Sequence, residues 1–289
     1  MTRTGHASAP PAQHAPGYKA IKFNLDWITR PLFGIALAAV AIAGIFGGQA
    51  YIAVLGALAS IAAAREWHRM VGERVFGPAF VLSSLTVAAA LAASVWVQPA
   101  WIAWAVLAAG AGGVALYAHF SGLLPAWHGL GPIYIATAPL ALVALRGAPH
   151  GALIIIGMFL AIWATDTGAL IVGNLVGGPR LWPALSPNKT WSGTLGAVAI
   201  AALIESGFVA FIGGQPMLGA LYGAGIAIVA HGGDLLESWF KRAFDRKDSG
   251  GLIPGHGGIL DRIDSTLLTA PLLAILVVLG FNPLFGVHA

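Results

Sequence analysis

Residues 152–173 read ALIIIGMFLAIWATDTGALIVG, with Asp166 as their one ionisable group. A helix crosses the roughly 30 Å hydrocarbon core of a bilayer with about 20 predominantly apolar residues. A water-soluble surface helix keeps one face polar, and this run has no such face. The stretch therefore reads as a transmembrane helix, and the solvent of the surrounding chain as lipid. Comparable runs recur on both sides of it, at 31–48, 50–64, 79–97, 101–119, 129–145, 193–213, 217–233 and 266–282. With 58% hydrophobic and 9% charged residues, the 289-residue chain cannot coat a water-soluble globule. The expected fold is all-α, a polytopic integral membrane protein of about nine transmembrane helices.

The organisation expected along the chain is a cytoplasmic N-terminal tail over 1–30, N-terminal transmembrane helices over 31–150, and a C-terminal transmembrane catalytic region over 151–289. Residues 1–18 lack the apolar segment of a signal peptide. Assigning the loops alternately puts Arg3, Lys19, Lys22, Arg30, Arg65, Arg69, Arg74, Arg180, Lys189, Lys241, Arg242, Arg246, Lys247 and Arg262 on the side of the N-terminus. Of the 15 Lys and Arg only Arg146 falls opposite. Positive residues collect on the cytoplasmic side, so the N-terminus is expected inside. The opposite connections, such as Gln98-Pro99-Ala100 and Gly213-Gly214-Gln215-Pro216, are tight turns. The two richest polar loops, 174–192 and 234–264, are both expected in the cytoplasm.

Cysteine is absent, which excludes a disulfide, a thiol nucleophile and a thiolate metal site. Any metal must be held by oxygen or imidazole. No His-Glu-x-x-His and no Gly-x-x-x-x-Gly-Lys-Ser/Thr occurs, so neither a zinc hydrolase nor a P-loop enzyme is indicated. The basic balance (sequence pI about 9.6) reports membrane orientation first, and a nucleic-acid partner is not expected. Ten tryptophans, mostly near the ends of the runs, fit an interfacial belt.

The chemistry concentrates after residue 233. Asp234, Glu237, Ser238, Lys241 and Asp245 recur at helical spacing on one face of DLLESWFKRAFDRKD, with Leu235, Leu236, Trp239, Phe240, Ala243 and Phe244 opposite. Helix pattern alone makes this a solvated interfacial helix with a Glu237–Lys241 pair. The neighbouring residues favour a site. Residues 248–258, DSGGLIPGHGG, hold five glycines, whose backbone N–H groups can approach phosphate oxygens closely. Asp261 and Asp264 then share one face at the start of the next helix. Carboxylates for hard cations and Lys241, Arg242, Lys247 and Arg262 for phosphates together suit nucleotide-phosphate chemistry.

Ser238, Phe240-Lys241-Arg242, Lys247-Asp248, Gly250, Ile253-Pro254, His256-Gly257-Gly258-Ile259 and Asp261-Arg262-Ile263-Asp264 resemble the signature of the phosphatidate cytidylyltransferases, or CDP-diacylglycerol synthases. Gly233-Asp234-Leu235, Asp166-Thr167-Gly168-Ala169 and Trp27-Ile28-Thr29-Arg30 are also similar to that family. Ser186-Pro187-Asn188-Lys189-Thr190 departs from its Ser-Pro-Lys-Lys-Thr at Asn188, and Ser192 stands where glutamate is usual. The resemblance is strong over about 160–266 and architectural before that.

The resemblance implies an enzyme that joins CTP to phosphatidic acid, giving CDP-diacylglycerol and pyrophosphate, as a homodimer in the inner cell membrane with its site toward the cytoplasm. It implies Mg²⁺, alone or with a second cation in the same site, held by Asp234 and Asp261. Lys241, Arg242, Lys247 and Arg262 then contact phosphates, and His256, Gly257, Gly258 and Gly250 cradle the nucleotide. Asp166, Ser186, Lys189, Thr190, Ser238, Asp248 and Asp264 complete the expected substrate-binding set. Glu205, mid-span and outside any motif, reads as structural or protonated, and the glycines after His231 as helix-packing contacts. Three rival readings remain: a related CTP-dependent lipid transferase or polyprenol kinase; a transporter, since intramembrane carboxylates also mark ion paths; and an inactive scaffold that retains the signature.

Overall fold

The computed structural model describes residues 39–251, 257–282 and 284–287. The expected tail and the Trp27–Arg30 motif lie outside the described residues, as does His256. The described chain is helical throughout, apart from two short two-stranded ribbons. Its elements are α1 (39–47), α2 (Gln49–Met70), α3 (Pro78–Trp96), α4 (Trp101–Phe120), α5 (Pro125–Gly147) and α6 (Gly151–Val176). There follow β1 (Arg180–Trp182), β2 (Ser186–Thr190), α7 (Trp191–Phe211), α8 (Pro216–Ala243), α9 (Leu260–Val278), β3 (Phe281–Asn282) and β4 (Gly286–Val287).

Among the described residues seven helices, α2 to α8, are long and apolar enough to cross a membrane. The protein is therefore an all-α integral membrane protein. The expected count of nine would need two more spans. Of α1 only 39–47 is described, and α9 opens on Asp261, Arg262 and Asp264 ahead of its apolar part. Two helices far outrun the apolar stretch that announced them. The 50–64 run becomes α2 because Arg65, Glu66, His68 and Arg69 continue the helix past the apolar residues. Likewise the 217–233 run becomes α8, whose 28 residues at about 1.5 Å each exceed the roughly 30 Å core. Its last turns must leave the apolar layer.

Local signals explain several starts. Proline occupies the first turn of α3, α5 and α8, where its missing N–H costs no helical bond. Thr190 closes β2 and caps α7, its Oγ1 accepting the Gly193 N–H at 3.1 Å. Gln98-Pro99, between α3 and α4, is a cis peptide.

Two groups of helices result. Helices α2 to α5 pack on one another, as do α6, α7 and α8, and α9 packs against both α5 and α8. The core is built from small and branched residues, with Ala63, Ala64, Ile135, Ala136, Ile154, Met158, Ala197 and Ala201 fully buried, while Phe46, Leu85, Leu203, Phe211 and Leu221 point outward as a lipid-facing surface should. An aromatic cluster joins α2, α5 and α8: the Trp67 ring lies 5.0 Å from Phe240 and 5.4 Å from Tyr134, and Trp127 lies 5.9 Å from Phe240. The packing expected at Gly233 is present, since a Cβ there would stand 2.6 Å from the Asp264 carbonyl of α9.

Candidate functional site

The polar ends of α6, α7, α8 and α9 and the β1–β2 hairpin enclose a cavity of about 320 Å³. Asp166 and Thr165 of α6, Lys189 and Thr190 of β2, His231 and Asp234 of α8, and Ser265 of α9 line it. The 174–192 segment, expected only as a polar loop, folds into the antiparallel pairing Arg180↔Thr190 and Trp182↔Ser186. That turn returns the chain so that Lys189 reaches the cavity and forms an ion pair with Asp234. Asp166 is exposed into the cavity even though its helix is otherwise apolar.

Asp166, Asp234 and Lys189 line this cavity; Glu237, Asp261 and Asp264, with Lys241 and Arg262, do not line it but stand near enough to interact electrostatically with one another or with the two lining aspartates. These acids outnumber these bases. Glu237 is 1% exposed, and both its carboxylate oxygens lie buried with no hydrogen-bond partner among the described residues, the Lys241 ammonium standing 3.5 Å away. The Glu237–Lys241 pair expected on a solvated face is therefore buried instead. Clustered hard oxygen donors, among them the two Glu237 oxygens without a hydrogen-bond partner, fit a divalent cation such as Mg²⁺.

The two aspartates expected as metal ligands have different surroundings. Asp234 lines the cavity, accepting from Ser238 Oγ at 3.4 Å besides its pairing with Lys189. Asp261 stands in the first turn of α9, ahead of the apolar part. Its Oδ2 accepts the Gly258 N–H at 2.9 Å, the Ser249 hydroxyl at 2.9 Å and the Ser249 N–H at 3.3 Å, while Oδ1 accepts the Lys241 ammonium at 2.7 Å. Partial burial alone would raise its pKa, but the Lys241 ammonium and the N–H and hydroxyl donors hold its carboxyl below the usual carboxylate range. With Oδ2 committed to three donors, Oδ1 is the oxygen that a cation or an exchanging lysine can take.

The other expected residues divide. Gly257 takes a left-handed φ of +81°, which turns the chain into Gly258 and α9. Arg242 donates to the Arg246 carbonyl at 3.2 Å at the exposed end of α8. Lys247 is exposed. Asp248, Ser249, Gly250, Arg69 and Arg246 border a second polar cavity, of about 330 Å³. Ser186 sits in β2 and does not line the first cavity. At the two positions that depart from the family pattern, the Asn188 carbonyl accepts Arg180 at 2.9 Å and the Ser192 hydroxyl donates to the Gly177 carbonyl.

One residue here has no counterpart among those expected from sequence. Glu66 of α2 is 3% exposed and accepts the N–H groups of Ile259 and Leu260, each at 3.0 Å, at the start of α9. Its nearest hint in the sequence is an acid continuing an apolar run, which is weak.

A second buried polar group lies apart from the cavity. Glu73 accepts the N–H groups of Ala79 and Phe80 at the start of α3, and His68, His128 and Glu73 are close enough to suggest a metal. The histidine geometry argues otherwise. The Nδ1 atoms are 2.8 Å apart while the ring centroids are 5.0 Å apart, nearly the largest separation that contact allows. The rings therefore meet head-on, as in an N–H···N bond, rather than converging on an ion; Ser83 Oγ extends the chain at 2.6 Å from His68 Nε2.

Comparison with known proteins adds independent findings. The model described as the cytidylyltransferase family matches residues 28–279. Phosphatidate cytidylyltransferases of Brucella suis biovar 1 and Brucella melitensis biotype 1 are each 45% identical over 153 residues, covering 51% of this chain and 55% of theirs. The phosphatidate cytidylyltransferase of Staphylococcus aureus (strain COL) is 43% identical over 122 residues, covering 42% of this chain and 47% of its own. The chain thus spans about half the length of the curated relatives it matches.

Proposed function

The chain belongs to the cytidylyltransferase family, and from that premise we propose that it transfers the cytidylyl group of CTP to phosphatidic acid, forming CDP-diacylglycerol and pyrophosphate. The observation that carries this reading is the cavity where Asp166 of α6, Asp234 of α8 and Lys189 of β2 meet. A lipid can present its headgroup there from the bilayer while a nucleotide arrives from water.

In the proposed reaction a phosphate oxygen of phosphatidic acid attacks the α-phosphorus of CTP. A new P–O bond forms, the bond to the bridging oxygen breaks, and pyrophosphate leaves with that electron pair. A phosphomonoester has its second pKa near about 6, so the nucleophile is largely ionised at neutral pH and needs no strong base. Bringing two polyanions together is the harder requirement. Lys189, which lines the cavity, and Lys241 and Arg262, which stand among the neighbouring carboxylates, would contact phosphates, and the carboxylates at Asp234 and Asp261 would hold Mg²⁺, with Glu237 in reserve. Bound there, the cation would neutralise phosphate charge and favour departure of pyrophosphate. Positioning and electrostatics then supply most of the rate, as is usual for phosphoryl-group chemistry.

The one-sided distribution of Lys and Arg supports a site facing the cytoplasm, in the inner membrane of a cell that has one. A homodimer remains part of the proposal through family resemblance.

Labelled-CTP incorporation into lipid, by purified protein in phosphatidic-acid liposomes with and without Mg²⁺, tests the reading. Mg²⁺-dependent CDP-diacylglycerol is the expected product. Preference for a polyprenol over phosphatidic acid in competition would move the protein to the lipid-kinase reading, and ion flux without nucleotide turnover would move it to the transporter reading.

A further inference from the structure

We propose that Glu66, on a helix of the N-terminal half, is a positioning residue for Asp261. The inference rests on the proposed function for its kinetic consequence, and on geometry alone for its structural one. Helix α9 has no side-chain cap of its own: its N-cap residue, Ile259, offers none. The first N–H groups of a helix need outside partners. Glu66 provides them from 193 and 194 residues away, taking Ile259 N–H on Oε1 and Leu260 N–H on Oε2. Its negative charge also complements the positive end of the helix dipole.

The same carboxylate reaches the loop that feeds Asp261. Ser249 Oγ lies 3.2 Å from Glu66 Oε2 and 2.9 Å from Asp261 Oδ2. One hydroxyl proton thus serves two carboxylates, and Ser249 stands wedged between them. Two glycines of the 248–258 loop are shaped by this arrangement. A Cβ on Gly250 would come within 2.5 Å of Glu66 Oε1, and one on Gly258 would run into Ser249 Oγ and come within 2.5 Å of Glu66 Oε2. Gly258 must lie flat against Glu66 for its N–H to reach Asp261 Oδ2 at 2.9 Å. The chain Glu66, Ser249 and Gly258, Asp261 therefore sets the direction in which Asp261 Oδ1 faces Lys241. Groups that orient a metal-binding side chain commonly matter by about 10–100-fold in metal affinity or activity.

The test uses the full chain in detergent micelles or liposomes. The variant Glu66→Gln keeps the shape and one acceptor oxygen but puts an NH₂ where N–H and O–H donors converge. Hydrogen exchange across residues 257–264 should speed up while exchange in α7 stays as in the parent. The Mg²⁺ concentration for half-maximal CTP incorporation should rise by about 10-fold or more, with KM for CTP changing less. Glu66→Asp should fall between parent and Glu66→Gln, and Gly258→Ala should reproduce the exchange effect from the other side of the contact. Unchanged exchange at 257–264, or a lower melting temperature with an unchanged Mg²⁺ requirement, would overturn the proposal. A parent protein that forms no CDP-lipid would overturn the function instead, and the exchange comparison would still decide the role of Glu66.

Discussion

Asp234 and Asp261 each face a lysine, yet one is held loosely and the other tightly. The Asp234 side chain is 33% exposed, borders the open cavity and has Lys189 and a long contact to Ser238. The Asp261 side chain is 13% exposed and is filled on both oxygens by four protein donors. A carboxylate with spare room can follow a cation or a substrate. One whose oxygens are already directed is pre-organised, and tolerates little change in length or charge. In the proposed cation site α8 would supply an adaptable ligand and α9 a fixed one.

That contrast can be broken by measurement. The largest effect is expected for Asp261→Asn, which removes a charge from the fixed position: CTP incorporation should drop by about 10³-fold while the protein still inserts in the membrane. Near-normal turnover would end the assignment. Lengthening the same side chain in Asp261→Glu should cost about 100-fold, because the cradle of Gly258 and Ser249 leaves no space for a shifted carboxylate. The matching change Asp234→Glu should cost only about 10-fold in the same assay, and equal losses in the two Glu variants would erase the distinction. Lys189→Ala releases Asp234 from its partner and should act mainly on KM for CTP or lipid, by several-fold, in steady-state kinetics. Glu205→Gln, buried in α7 far along the chain from any motif, should leave activity within about 2-fold.

Why some of this is legible in the sequence, and some is not, comes down to range. Apolar runs announce helices because each residue reports its own preference for lipid, and the runs located α2 to α9. They missed the helix end at 65–70, where polar residues continue the helix, whereas the three-and-four spacing from Asp234 read the end of α8 as helical. The acid and glycine pattern of 234–264 pointed to a candidate site because Asp234, Lys241 and Asp261 sit close in sequence; of that stretch Asp234 lines the cavity. The β1–β2 hairpin was invisible: Arg180 and Thr190 pair through backbone, and Ser186-Pro187-Asn188 has no strand-like alternation. Glu66 was invisible for the opposite reason. Nothing local distinguishes it from Glu73, which caps a neighbouring helix seven residues later; its meaning depends on Ile259 and Leu260.

The position of α9, wedged between α5 and α8 and held at its start by α2, bears on how the protein comes into being. During synthesis a chain emerges from its N-terminus, so Glu66 is made long before the amides it will bind. Until α9 arrives, α2 carries a buried-side acid with empty partners, and the carboxylates of α8 lack Asp261. Assembly of the carboxylate cluster and closure of the helix bundle are then a single late event. A membrane containing half-made copies would lack the assembled cluster, and with it the cytidylyl transfer proposed for the finished protein.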